Sequence, residues 1–297
     1  MPHVSATFRL EVFPGLPDKM VEKAGGFERI MASTVRLRDG TRLVYDMHGR
    51  DDGRPRLVLI HSLGMDRLFW DRTIPLLADS AVVLAYDCRG HGASDKPKGP
   101  YRIEQFADDL AGLMDHVGWP SAIVAGASMG GCTTLAFGQQ YPARARALGL
   151  IDTTAWYDAA DKWEERAVKA TSAGLASMID FQVTRWFTDG FRAANPAIVK
   201  ENVDRLLAND PAAFAETCRM LGACNLEAGL PRMTLPAAVM VGDEDYATPV
   251  AMSETLHRGI KGSTLTVFTR ARHLTPLEVP ERVAAELSRL IALAPVK

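Results

Sequence analysis

Cysteine is scarce in this chain, and Cys88, Cys132, Cys218 and Cys224 show neither C-x-x-C spacing nor the density of a disulfide framework. Reduced, mostly buried thiols are therefore expected in place of disulfides or zinc ligands. No charge of one sign dominates. The net charge is −2 and no strongly basic stripe appears, so no nucleic-acid partner is expected. Long hydrophobic runs are absent too. The longest apolar runs are strand-length, and the start MPHVSATFRLEVFPG has no basic region followed by an apolar stretch. Neither a membrane span nor a secretory leader is expected, and the expected setting is the cytoplasm. Internal repeats and low-complexity segments are also missing. What is present is bulk apolar content, 47% of 297 residues, enough to bury one large core.

One stretch stands out chemically. The apolar run Ala122 to Ala125 leads into GASMGG at 126–131, a G-x-S-x-G frame around Ser128, and a helix-like stretch runs from Cys132 to Gln140. A sharp turn from strand to helix holds a serine hydroxyl clear of its neighbours, ready for a base to remove its proton. The frame alone also fits an ordinary glycine-rich loop, and it is the flanking strand and helix that favour a nucleophile. On this plan an acid and a histidine follow the serine in that order, at the carboxyl ends of later strands. The run Ala237 to Val241 ends in Gly242-Asp243-Glu244-Asp245, and Thr264 to Phe268 leads to His273. Only His273 follows the last strand and a proposed acid. His3, His48, His61, His91, His116 and His257 fall in turns, predicted helices or the amino-terminal region, where structural or solvated roles are expected.

With these stretches the chain resembles the α/β-hydrolases, and within them the 3-oxoadipate enol-lactonases. The matching segments are HSLGMDRLFWD at 61–71, YDCRGHGASDKP at 86–97, GASMGG at 126–131, RWF at 185–187, GDEDYATP at 242–249 and ARHLTPLEVP at 271–280. The resemblance implies Asp245, the second aspartate of its motif, as the acid. Asp243 is expected to form the turn, Asp87 to staple a loop, and Asp152 is the alternative acid from the preceding strand. It also implies an oxyanion hole from the backbone N–H groups of Leu63 and Met129. Trp186 matches a position that walls the substrate pocket, although packing helix on core explains it equally. An enol-lactone of this class carries a carboxylate, for which Arg166, Arg185, Arg192 and Arg219 are candidate partners. Leu221 to Asn225 reads Leu-Gly-Ala-Cys-Asn where relatives usually carry polar residues.

Along the chain, residues 1–33 form an amino-terminal extension with a possible short helix from Asp18 to Lys23. A hairpin signal follows, with Val35 to Arg38 and Leu43 to Asp46 around Asp39-Gly40. Strands are expected at Leu57 to Ile60, Ala81 to Tyr86, Ala122 to Ala125 and Ala147 to Ile151, and helices at Leu68 to Leu77 and Ile103 to Val117. That alternation predicts an α/β fold with a mostly parallel central sheet flanked by helices. Residues 34–153 and 234–297 form the core of this plan, and 154–233, helical in pattern, form an inserted cap.

The expected activity is hydrolysis of a lactone or small carboxylic ester through an acyl-Ser128 intermediate, with no metal and no cofactor. Alternatives with the same triad are a broader carboxylesterase, a carbon–carbon bond hydrolase and a cofactor-free perhydrolase. A ligand receptor on the same fold is the non-enzymatic alternative. Oligomeric state is not specified by any feature of the sequence.

Overall fold

Continuous apolar runs of strand length become strands buried on both faces, because the crossover helices between parallel strands cover the sheet on each side. A computed structural model describes residues 21–24 and 27–294. Its strands are β1 (Val21–Ala24), β2 (Phe27–Arg36), β3 (Arg42–His48), β4 (Arg56–Ile60), β5 (Val82–Asp87), β6 (Ala122–Ala127), β7 (Ala145–Ile151), β8 (Ala237–Gly242) and β9 (Thr264–Phe268). Every residue of β5, β6 and β8 is buried. The nine strands lie in the order β1-β2-β3-β5-β4-β6-β7-β8-β9. Pairing is antiparallel from β1 to β5 and parallel from there on. The expected α/β class is the observed one.

After β4 the chain first moves to β5 on one side and then returns to β6 on the other. The carboxyl ends of β4 and β6 therefore flank a crevice of the kind where ligands bind in open α/β sheets. Helices α1 (Ile103–His116), α2 (Met129–Gln140), α8 (Val250–Gly259), α9 (Thr275–Glu278) and α10 (Pro280–Leu293) accompany the sheet. Between β7 and β8 the chain leaves it for α3 (Ala160–Ala173), α4 (Ile179–Trp186), α5 (Asp189–Ala194), α6 (Pro196–Leu207) and α7 (Pro211–Ala223). Leu226 N–H donates to Ala155 O at 2.9 Å and closes the base of this excursion. A Cβ at Gly222 of α7 would lie 2.9 Å from Cβ of Trp163 in α3. That close approach accounts for an apolar, glycine-bearing segment at Leu221 to Asn225.

Two local expectations differ. Leu68 to Leu77 is not one helix but two 3-10 turns, Arg67–Trp70 and Ile74–Leu76. Pro75 has no N–H to return to the preceding turn, so an α-helix cannot run through it. The helix expected from Asp18 to Lys23 lies outside the described residues up to position 20, and from Val21 it is strand. Val21 pairs with Ile30 and Ala24 with Phe27. So short a segment gains little as an isolated helix, whereas extension gives its backbone the ladder of β2. The rest of the extension before Val21 lies outside the described residues. The hairpin lies where expected, with Val35 opposite Leu43, and β2 reaches back to Phe27.

Candidate active site

Ser128 sits between β6 and α2 with φ 55° and ψ −115°, a conformation that non-glycine residues rarely adopt and that persists only when the surroundings enforce it. Here the enforcement is close packing. A Cβ at Gly126 would fall 2.2 Å from Gly130 O, and one at Gly130 would fall 2.2 Å from Ile60 O. The turn is therefore pressed onto the end of β4. Ser128 N–H donates to Ile151 O at 2.9 Å and its carbonyl accepts from Thr153 Oγ1 at 2.7 Å.

His273 and Asp245 come to the same place from the ends of β9 and β8. His273 Nε2 lies 3.0 Å from Ser128 Oγ, and His273 Nδ1 lies 2.8 Å from Asp245 Oδ2. Since a carboxylate only accepts, Nδ1 carries the proton and Nε2 faces the serine hydroxyl as acceptor. Asp245 also accepts from Ala247 N at 2.7 Å, Thr248 N at 2.9 Å and Thr248 Oγ1 at 2.7 Å. Burial pushes the Asp245 carboxyl up, but the charge of His273 and the hydrogen bonds from His273 and Thr248 outweigh it and hold it below the ordinary carboxylate value. The carboxylate stays ionised beside the imidazole.

The other acids take other places. Asp152 is buried and its carboxylate is taken up by other partners, accepting from Thr275 N at 3.0 Å, Thr275 Oγ1 at 2.7 Å and Gly242 N at 3.2 Å. Burial and the charge of Asp245 push its carboxyl well up. Asp243 is exposed and accepts from Ala271 N at 3.4 Å. Asp87 staples its loop, accepting from Arg67 N at 2.7 Å, Arg67 Nη1 at 2.9 Å and Ala93 N at 2.8 Å. Among the histidines, His61 Nε2 accepts from Cys88 N at 3.0 Å and His91 Nδ1 lies 3.1 Å from Arg89 O. Burial lowers His61 to about 4 and His91 to about 3, which leaves both neutral and structural. His48 lies in β3, His116 at the end of α1 and His257 in α8, and His3 is outside the described residues.

A cavity of about 30 Å³ meets Ser128 and His273 and is also lined by Leu63 and Trp186. Met129 is the first residue of α2, where a helix leaves its N–H without an intrahelical acceptor. Trp186 is buried at the end of α4, and its carbonyl accepts from His273 N at 3.2 Å and Leu274 N at 3.1 Å. It thus both walls the cavity and ties α4 to the core. Of the four candidate arginines, Arg192 pairs with Asp189 and Arg219 with Glu164 and Glu216. Arg166 and Arg185 line the cavity instead, and no carboxylate pairs with either among the described residues. Arg166 stacks on Trp163 at 4.3 Å and Phe181 at 5.1 Å, and Arg185 on Phe181 at 5.0 Å and Tyr246 at 5.4 Å. Burial lowers both guanidiniums from their ordinary value, yet a guanidinium stays charged in proteins.

Tyr157, Trp163 and Gln182 also line this cavity and were not singled out by the sequence. The Tyr157 hydroxyl lies beside the Ser128 side chain, and burial pushes it well up, so it remains a neutral phenol. No residue pattern marked it; only the fold of the segment after β7 brings it there. Another concavity of about 170 Å³, at the amino ends of the strands near Arg54 and Arg146, holds none of these residues. Among the described residues no cluster of three or more His, Cys, Asp or Glu is placed to hold a metal ion, and no helix is long and apolar enough to cross a membrane.

A family model for the α/β hydrolase fold matches residues 55–178. The chain is 35% identical over 239 residues to 3-oxoadipate enol-lactonase 2 of Acinetobacter baylyi, covering 80% of this chain and 89% of that one. It is 28% identical to 3-oxoadipate enol-lactonase 1 of the same organism, with 82% and 91% covered. Among solved structures, the enol-lactonase from Burkholderia xenovorans LB400 superposes with a TM-score of 0.85 at 31% identity, covering 88% of this chain and all of that one.

Proposed function

The chain belongs to the α/β-hydrolase family and hydrolyses ester or lactone bonds, and from that premise we propose that Ser128, His273 and Asp245 are its catalytic triad. Ser128 attacks the substrate carbonyl carbon while His273 Nε2 takes its proton. The oxyanion is received by the N–H groups of Leu63 and Met129, donors of a kind that contribute about 3 kcal/mol each to the transition state. His273 then protonates the leaving oxygen and the acyl-serine forms. In the second half His273 draws a proton from water, which attacks the acyl carbon and frees the acid. Asp245 holds the imidazole in the tautomer this requires and stabilises the imidazolium. For an enol-lactone, the released enol tautomerises to a ketone, which removes the group that could re-close the ring.

The observation that carries this assignment is the unbroken relay from Ser128 Oγ through His273 to Asp245, 3.0 Å and 2.8 Å long, on a residue with positive φ. The guanidiniums of Arg166 and Arg185, which pair with no carboxylate among the described residues, support an acidic substrate, preferably an enol-lactone bearing a carboxylate. In this reading residues 154–233 act as a cap over the chamber, with Trp186 as part of its wall. Four free, buried cysteines fit the cytoplasm. The test is turnover of p-nitrophenyl butyrate and of the enol-lactone of 3-oxoadipate. The enzyme should go through many cycles, where a receptor stalls after one equivalent, and Ser128→Ala should lower kcat by about 10⁴ to 10⁶. Near-normal turnover in that variant would end the proposal.

A further inference from the structure

The amino ends of the parallel strands hold a concavity of their own, about 170 Å³ in volume and so room for roughly ten water molecules. It lies where the loops before β4 and β6 meet the start of β7. Ser121 on its wall precedes β6 and Ser128 follows it, so the length of that strand, roughly 20 Å, separates the two. No residue lines both this pocket and the chamber at Ser128. Its charged lining is three guanidiniums, Arg54, Arg56 and Arg146, against one carboxylate, Asp51. The chain as a whole carries −2, so the positive excess is local.

The three cations are answered unequally. Arg54 is engaged by protein, donating through Nη1 to Ala78 O at 3.2 Å and Asp79 O at 3.0 Å and pairing with Asp52 at 3.0 Å. Arg56 is answered in part, with Nη2 3.8 Å from Asp51 Oδ2 and its guanidinium 5.6 Å from the centre of the Trp119 ring. Arg146 is half-buried, and among the described residues it makes no ion pair and no hydrogen bond. Its place in the ladder accounts for that. Ala122 pairs with Ala145 and Ile123 with Ala147, which leaves Arg146 as the extra residue of a bulge, a device that re-aims a side chain. Ser121 likewise has no hydrogen-bond partner for its N–H or its hydroxyl among the described residues. The neighbouring carbonyls do not serve them, since Arg144 donates to Trp119 O at 3.1 Å and to Pro120 O at 3.3 Å. What remains open is a set of donors on three adjacent strands or their approaches.

We propose that this pocket binds a compact polyanion, a small molecule with two or more phosphate or carboxylate groups, across Arg56, Ser121 and Arg146. A guanidinium presents its N–H groups as a planar fork that matches either oxyanion, and a half-buried cation with no counter-ion gains most from receiving one. The volume exceeds what one such group fills, and the donors stand on both sides of β6, so a ligand with charge at two points meets them together. Bound there, it ties β4, β6 and β7 at their amino ends. A ligand that binds only the native state stabilises it by mass action. The site takes no part in ester cleavage and stands independently of the triad assignment.

The experiment is titration calorimetry of the whole chain with pyrophosphate and with citrate, at an ionic strength held constant with potassium chloride, alongside the melting temperature. Saturable binding of one anion per chain and a raised melting temperature are expected. Arg146→Gln should weaken binding by about tenfold or more, and Ser121→Ala by about tenfold, the worth of a hydrogen bond to a charged group. Arg192→Gln, which removes the same charge from α5, should bind as the parent does. Tighter binding of pyrophosphate assigns the site to phosphorylated ligands, and tighter binding of citrate assigns it to polycarboxylates. A melting temperature raised equally by potassium chloride alone, or an Arg146→Gln variant that binds as tightly as the parent, overturns the site. So does competitive inhibition of p-nitrophenyl butyrate turnover that survives Arg146→Gln and is lost in Arg166→Met, since the anion then sits at Ser128. Because binding is read directly, absence of turnover on every ester tested would remove the triad assignment and leave this result intact.

Discussion

Arg166 and Arg185 differ from the semi-buried Arg67 and Arg89 in what answers their charge. Arg67 meets Asp46 and Asp87 at 2.9 Å each, and Arg89 meets Asp109 at 2.5 Å. Among the described residues Arg166 and Arg185 meet aromatic faces and form no ion pair with a carboxylate. A cation removed from water without a counter-ion is unfavourable, and replacement by an apolar side chain of similar size is often neutral or stabilising. Such a pair is therefore a liability that an anionic ligand relieves. Arg166→Met and Arg185→Met should leave the melting temperature unchanged or raised, while kcat/KM for an acidic lactone falls about 10- to 100-fold per variant, the worth of a charge-assisted hydrogen bond. Neutral p-nitrophenyl acetate should lose far less. Equal losses on both substrates would show that these residues only shape the chamber. Ser128 and His273 could be singled out from sequence because local spacing and strand order identify them. Arg166 was one arginine among four candidates, and Tyr157 carried no signal. Which way a side chain after β7 points is set by the packing of α3 on α7, and no local pattern encodes that.

The strand, turn and helix around Ser128 form a unit in which backbone meets backbone. Because a Cβ at Gly130 would sit 2.2 Å from Ile60 O and 2.8 Å from His61 O, α2 cannot approach β4 as it does with any other residue there. Gly130→Ala must therefore displace the helix start, and with it the Met129 N–H and the Ser128 hydroxyl. Kinetics should show kcat reduced by about 10²-fold or more, as small misplacements cost, and calorimetry should show a lower melting temperature. Unaltered kcat would mean that the turn tolerates a shift and that its strain is incidental. Elements of this kind were legible because apolar runs of strand length alternate with helical stretches, and that alternation gives the α/β class directly. The segment Leu68 to Leu77 was not, because its apolar spacing suits a helix while Pro75 denies it the hydrogen bonds. Val21–Ala24 likewise depends on a partner strand that local sequence does not name.

At the scale of the whole molecule, the helices between β7 and β8 are fastened to the core at the same loop that presents His273. Trp186 O accepts from His273 N and Leu274 N. Arg272 donates through Nη1 to Thr184 O at 2.8 Å and Phe187 O at 3.0 Å, and pairs with Glu244 at 3.0 Å. Glu278 closes the joint, accepting from Thr188 N at 2.7 Å and Thr188 Oγ1 at 2.9 Å with one oxygen and from Arg272 N at 2.5 Å with the other. His273 is thus held at its ring by Asp245 and at its backbone N–H by the end of α4. Any loosening of α4 has to reach His273, the proposed base. Glu278→Ala leaves two backbone donors without their acceptor, a cost of about 1 to 3 kcal/mol for each that stays buried. We expect a lower melting temperature, kcat reduced about tenfold, and faster amide exchange at His273 and Leu274 in particular. Leu287→Ala, a buried position on α10, supplies the control, since it should lower stability without selective exchange at those two amides. If Glu278→Ala instead raises exchange evenly across the sheet, or leaves kcat intact, the fastening is structural only and the base does not depend on the helices above it.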